Sequence, residues 1–65
     1  MLTTKPNLSN PDDFYANLLH AHEDLSKAES DALNARLILL LANHIGNAEV
    51  LNQALKASQP RKDTP

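Results

Sequence analysis

Hydrophobic residues recur at helical spacing in three consecutive segments of this chain. The segments cover about residues 11–24, 27–45 and 48–57, and in each the apolar positions return every three or four residues, as on one face of an α-helix. No segment alternates apolar and polar positions as a half-buried strand does. The pattern predicts a small all-α domain of three helices. The stripe of the first helix comprises Phe14, Leu18, Ala21 and Leu25.

Local sequence signals mark the ends of these helices. Asn10, followed by a proline and two aspartates, is predicted to cap the first helix with its side-chain oxygen. Ser26 and Glu29 form the S-x-x-E pattern of a capping box at the start of the second helix. Gly46, the only glycine, is suited to a left-handed position just past the end of that helix, and Asn47 is suited to cap the third.

The middle helix carries apolar residues on most of its circumference. When its residues are placed about 100° apart, the strongly polar positions Glu29, Arg36 and Asn43 fall in one band about 40° wide. Leucine, isoleucine and alanine occupy most of the remaining circle, whereas an ordinary surface helix has an apolar stripe a little over about 100° wide. The sequence therefore predicts a long central helix that is apolar nearly all round and is covered on several sides.

A chain of 65 residues has little sequence outside this helix with which to cover it. A domain of this size buries only about 60% of the surface that its unfolded chain exposes, and the flanking helices are short. We therefore expect a non-catalytic protein–protein interaction module. It is either a homo-oligomer, most simply a dimer, or an accessory subunit of a larger enzyme. The alternative is a three-helix monomer with the middle helix tucked between its neighbours.

The expected interface lies on the middle helix. Arg36 has two interpretations: it is solvated or paired with Asp31, Glu29 or a carboxylate of the first helix, or it is the polar anchor of an apolar interface, where arginine is enriched. The predicted interface residues are Leu33, Arg36, Leu37, Leu39, Leu40, Leu41, Asn43 and His44.

Composition and charge exclude other classes of partner. The formal net charge is −2, so the chain lacks the basic face that nucleic acid or an anionic membrane surface requires. The longest apolar run, at 37–42, is far shorter than the roughly 20 residues of a membrane span. The absence of cysteine is compatible with the expected cytoplasmic location. A flexible arm at 1–10 and a disordered tail at 58–65 are expected to flank the helical domain at 11–57.

The three histidines are the candidates for chemistry. His20 and His22 lie two residues apart, so on a helix their rings point about 200° apart and cannot bind one ion; both are expected to be solvated. His44 is expected to be a structural histidine bonded to a carbonyl or a partner group, because no nucleophile or orienting carboxylate lies at a recognisable spacing. No catalytic, cofactor-binding or metal site is predicted. The remaining alternative is a ligand-binding or catalytic helical protein with a site shared between chains around His44 and Arg36.

Three stretches of the sequence resemble a known family: Asp12-Asp13-Phe14-Tyr15, the string LNARLILLLANHIG at 33–46, and Val50-Leu51. In these stretches the chain is similar to short bacterial proteins catalogued as domain of unknown function 2783. The resemblance carries no established activity. It implies only that the gene lies near genes for flavin-dependent oxidoreductases or enzymes of aromatic degradation. Arg36, Asn43, His44 and Gly46 fall inside the family pattern, which assigns no role to them.

Overall fold

Three α-helices make up most of the described chain. The structure is a computed structural model and describes residues 1–60. Helix α1 spans Pro11–His22, α2 spans Lys27–Ile45 and α3 spans Ala48–Ser58, and the described residues contain no strand. The predicted all-α fold is confirmed. The bounds of α2 are those predicted, α1 ends two residues early and α3 ends one residue late. The last five residues of the expected tail at 58–65 lie outside the described residues.

The start of α1 differs from the prediction in one respect. Pro11 occupies the first helical turn and two aspartates follow it, as expected. The side chain of Asn10, however, makes no capping hydrogen bond, and its backbone has φ −134° and ψ 72°. The prediction of an Asn10 side-chain cap was wrong. The carbonyl of Asn10 still accepts the first hydrogen bond of the helix, from the Phe14 N–H over 3.2 Å.

The turn between α1 and α2 explains why α1 is shorter than expected. The N–H of Glu23 donates to the carbonyl of His20 (3.2 Å), and that of Leu25 donates to the carbonyl of His22 (3.3 Å). Asp24, between them, has φ 62°, a left-handed conformation that aspartate adopts more readily than most residues. A residue in this conformation ends the helical hydrogen-bond ladder, so the apolar spacing continues to Leu25 but the helix does not.

The ends of α2 follow the predicted local chemistry. The Glu29 N–H donates to Ser26 Oγ over 3.2 Å, and the Ser26 N–H donates to Glu29 Oε1 over 2.9 Å, which together form the capping box. Gly46 has φ 67° and ψ 14°, and its N–H donates to the Ala42 carbonyl over 2.9 Å. Asn47 then caps α3, because its Oδ1 accepts from the Val50 N–H over 3.0 Å. All three predictions are confirmed.

The N-terminal segment returns to α3. The backbone N–H of Leu2 donates to Oε1 of Gln53 over 2.8 Å, and both residues are half-buried. This contact joins the N-terminal segment to the middle of α3, and nothing in the spacing of the sequence predicted it.

The three helices form an open arrangement. No residue of the described chain is fully buried, and the radius of gyration is 14.1 Å, against about 11 Å for a compact domain of this length. On α2, the side chains of Ile38, Leu39 and Leu40 are 63%, 70% and 69% exposed. Helices α1 and α3 therefore leave these side chains uncovered within residues 1–60, and the expected central helix covered on several sides is not present in a single chain. Within residues 1–60, no helix has both the length and the apolar character needed to cross a bilayer.

Candidate functional site

A mostly apolar groove of about 860 Å³ lies between α1 and α2 and opens to solvent. We call it the α1–α2 groove, and it is the candidate functional site. Helix α1 and the turn after it contribute Phe14, Asn17, Leu18, Ala21 and Leu25. The apolar lining from α2 consists of Ala28, Ala32, Leu33, Leu37 and Leu40, and its charged lining consists of Glu29 and Arg36.

The groove forms where two helical stripes face each other. Phe14 and Leu18 are four residues apart on α1, and Leu33, Leu37 and Leu40 follow at intervals of four and three on α2, so each set lies on one face of its helix. Leu18, Leu33 and Leu37 are half-buried, whereas Phe14 and Leu40 remain exposed. The groove therefore has a partly covered floor and an uncovered apolar rim.

His22 connects α1 to α2 beside the groove. Its Nδ1 lies 2.9 Å from Ser30 Oγ, and its Nε2 lies 3.0 Å from Asn34 Oδ1. A carboxamide oxygen only accepts, so Nε2 donates to Asn34, and in the neutral ring Nδ1 accepts from the Ser30 hydroxyl. The expectation that His22 is solvated was wrong, because the short α1–α2 turn brings its ring against the first two turns of α2. The two contacts join the end of α1 to the first two turns of α2.

His20 and His44 lie outside the groove. His20 Nδ1 is 2.8 Å from Glu23 Oε1, and both side chains are largely exposed, as expected for a histidine on the surface of α1. His44 is also exposed, and it makes no hydrogen bond to a carbonyl within residues 1–60, so the expected bond to a partner group stays a prediction. Within these residues, no three histidine, aspartate or glutamate side chains lie close enough to hold a metal ion.

The charges of the groove are one carboxylate and one guanidinium. Glu29 Oε1 accepts from the Ser26 N–H, which leaves Oε2 available. Arg36 is exposed and makes no ion pair within the described residues, whose ion pairs are His20–Glu23 and the surface pair Lys27–Asp31. The two charges are seven residues apart on α2, about 10.5 Å along the helix axis, too far for a direct ion pair. Both groups therefore remain able to bind something placed in the groove.

The structure divides the predicted interface residues into two groups. Four of them line the groove: Leu33, Arg36, Leu37 and Leu40. The other four are exposed elsewhere on α2: Leu39, Leu41, Asn43 and His44. The prediction omitted the α1 wall. The signal was present, since the spacing of Phe14, Leu18, Ala21 and Leu25 was recognised, but it indicated only that these residues share a face and not what they face.

The fold and the groove define a class: a small, open all-α domain with an uncovered apolar surface on its middle helix. Comparison with known protein families then identifies the family to which the chain belongs. The family model described as "Protein of unknown function (DUF2783)" matches residues 2–60, so the chain belongs to that family. Comparison with curated proteins gave no match, and comparison with solved structures gave none either.

Proposed function

We propose that this chain is a non-catalytic protein–protein interaction module, which acts by self-association or as an accessory subunit of a larger enzyme. The observation that carries the proposal is the uncovered apolar surface. No residue of the described chain is fully buried, and large apolar side chains are exposed on all three helices. Contiguous apolar surface of this kind marks sites of protein association.

The extent of burial supports the same proposal. The accessible surface of the chain is 6133 Å². An unfolded chain of 7.1 kDa exposes about 10,300 Å², so folding alone hides about 40% of the surface, against about 60% for a domain of this size. Because apolar burial is the main favourable term in folding, a second protein surface would supply much of the missing stabilisation. In the assembled state α2 would then become the long central helix, covered on several sides, that its composition favours.

The arrangement of the histidines supports a role without chemistry. His22 is held by two side chains of α2, His20 is paired with an exposed glutamate, and His44 projects outside the groove. None of the three is oriented towards the groove beside a nucleophile. If the chain influences catalysis, it does so by ordering or stabilising a larger enzyme. The expected location of both proteins is the cytoplasm. The family resemblance suggests that this partner enzyme is an oxidoreductase.

The second candidate function is a ligand-binding or catalytic protein with a site shared between chains. The volume of the groove favours it, because about 860 Å³ lies within the range of about 300–1,000 Å³ typical of ligand pockets. Arg36 lines the groove, but His44 is eight residues further along α2, about 12 Å along the axis. This separation favours binding of an apolar molecule over a reaction that uses both residues.

Size-exclusion chromatography with light scattering tests the proposal. The pure chain should elute with the mass of two or more chains, or it should co-elute with the enzyme encoded beside its gene. Replacing both Leu39 and Leu40 by glutamate should abolish the assembly. A monodisperse species of 7.1 kDa that binds no partner, and whose cooperative melt is unaltered by those changes, would contradict the proposal. Turnover by the isolated chain that His44→Gln abolishes, with assembly intact, would favour the second candidate.

A further inference from the structure

The two charges of the α1–α2 groove are related in a way that selects a particular partner. Glu29 and Arg36 lie on the same face of α2 and are placed symmetrically about the midpoint between Ala32 and Leu33. Within the described residues Arg36 has no carboxylate partner, and Glu29 has one oxygen outside its capping bond. An antiparallel copy of the same helix would place a carboxylate beside Arg36 and, at the same time, a guanidinium beside Glu29.

We propose that the α1–α2 groove binds the α2 helix of a second copy of this chain, in an antiparallel dimer whose two-fold axis passes between Ala32 and Leu33. The proposal rests on the interaction function above and names the partner. A two-fold interface uses the same patch on both subunits, so each contact occurs twice. Glu29 of each copy then faces Arg36 of the other, and two equivalent ion pairs form at the groove.

The apolar lining fits the same symmetry by size. About this axis, Ala28 lies opposite Leu37 of the second copy, and Ala32 lies opposite its Leu33. A small residue therefore faces a large one at both levels, which allows two helices to approach closely with interdigitated side chains. Leu40 then lies towards Leu25 of the second copy, a half-buried residue in the turn before α2. The second copy thus covers Leu40, on the rim of the groove.

The amount of exposed surface matches a dimer. The accessible surface of 6133 Å² is about 2,000 Å² larger than that of a compact chain of 7.1 kDa. Even when the largest surface that residues 61–65 can contribute is subtracted, about 870 Å², an excess of about 1,400 Å² remains. The largely exposed segment 1–10 contributes part of this excess, and a standard interface requires only about 800 Å² from each partner.

The charge of the groove disfavours a different occupant. With one positive and one negative group, the groove is neutral as a whole. A basic or an acidic peptide would satisfy one group and leave the other facing a like charge or an apolar surface, which is unfavourable in a desolvated contact. The second copy satisfies both groups at once, so among protein partners it is the one that the residues on the groove select.

The first experiment uses sedimentation equilibrium of the full chain to compare substitutions at two exposed apolar positions of α2. Leu40 lines the groove and is 69% exposed, whereas Ile38 is 63% exposed and lies outside the groove lining. Because an unpaired charge buried in an interface is strongly unfavourable, Leu40→Glu should raise the dimer Kd by about 100-fold or more, and Ile38→Glu should change it by less than about threefold. Equal effects of the two changes would contradict a dimer built on the groove.

The second experiment exchanges the charges. Glu29→Arg and Arg36→Glu should each weaken the dimer, by about 10- to 100-fold in Kd, because like charges then meet at both contacts. An equimolar mixture of the two variants should restore a dimer with one chain of each kind, since every contact again joins opposite charges. The mixture remains informative even if Glu29→Arg alone unfolds through loss of its capping box. A mixture that stays dissociated would overturn the proposal.

A cysteine reporter tests the position of the axis, since the natural chain contains no cysteine. Ala32→Cys lies beside the axis and should form a disulfide between copies on mild oxidation. Asp31→Cys is the matched control, because its side chain points away from the groove and should remain reduced. A dimer that persists through the charge exchange and crosslinks at neither position would overturn this inference and leave the interaction function intact. A monomeric chain that binds only another protein would do the same, whereas a monomer without any partner would overturn both.

Discussion

Replacing Gly46 should destabilise the protein through its backbone conformation and not through a steric clash. Gly46 has φ 67°, in the left-handed region, and its N–H closes the end of α2 on the Ala42 carbonyl. A Cβ placed on Gly46 would meet the Asn43 carbonyl oxygen at 3.6 Å, which is an ordinary contact. The expected penalty is therefore that of holding an L-residue at positive φ, about 1–2 kcal/mol.

The side chain introduced at position 46 sets the size of the effect. Gly46→Ala restricts the unfolded chain, which offsets about 0.4–1 kcal/mol of that penalty, so a net loss of about 1 kcal/mol is expected. Gly46→Asn should be the mildest change because asparagine visits the left-handed region, and Gly46→Val should lose more than about 1 kcal/mol because β-branched residues avoid it. For a domain of this size, each 1 kcal/mol corresponds to about 4–8 °C in Tm.

Thermal unfolding followed by circular dichroism measures the series, with every variant at the same concentration. Chemical synthesis of this 65-residue chain also provides a control of opposite sign. D-alanine at position 46 favours positive φ, so it should raise Tm where L-alanine lowers it. The reasoning is refuted if L-alanine leaves Tm unchanged, or if the two enantiomers lower it equally, because the loss would then not depend on handedness.

Two further predictions concern the turn that joins α1 to α2. Since Asp24 has φ 62°, Asp24→Gly should preserve or raise Tm and Asp24→Val should lower stability by about 1 kcal/mol or more; equal melts for the two variants would contradict this. His22→Phe should lower stability by about 1–2 kcal/mol in denaturant unfolding because two hydrogen bonds to α2 are lost. The exposed His20 supplies the control, since His20→Ala removes only a surface pair and should change little.

The sequence predicted the parts of the fold that depend on short-range chemistry. The capping box at Ser26, the left-handed Gly46 and the Asn47 cap each depend on residues at most four positions apart, and all three are present. The end of α1 was misplaced because apolar spacing continues through a turn as easily as through a helix. Asp24 gives no strong signal of positive φ in the sequence, because aspartate is common in many other conformations.

Contacts between elements were predictable only in part. Helical periodicity identified the faces of α1 and α2 that line the groove, but it could not indicate that the two faces diverge and leave an open space. The turn between α1 and α2, where Asp24 has φ 62°, sets the course of the chain between the two helices, and two hydrogen bonds from His22 to Ser30 and Asn34 accompany it. A polar histidine ring can equally well be exposed to solvent or bonded to another helix. Helical spacing gave no sign of a partner for His22, so the sequence favoured an exposed ring. The exposure of α2 was predictable from composition, since the chain contains too few other apolar residues to cover it.

We expect the thermal stability of this chain to rise with its concentration, because the proposed dimer covers apolar surface that the isolated chain leaves exposed. If unfolding is coupled to dissociation of a dimer, each tenfold increase in concentration adds about 1.4 kcal/mol to the stability of the dimer. Unfolding entropy of about 2.1 cal/mol/K per residue gives about 200–270 cal/mol/K for two chains, so Tm should increase by about 5–7 °C per tenfold. Calorimetry over a 100-fold range of concentration should thus show a shift of about 10–14 °C, reduced in Leu40→Glu and retained in Ile38→Glu. A Tm that stays constant over that range would mean that 6133 Å² of accessible surface is compatible with a stable monomer, and the groove would then be free to bind something else.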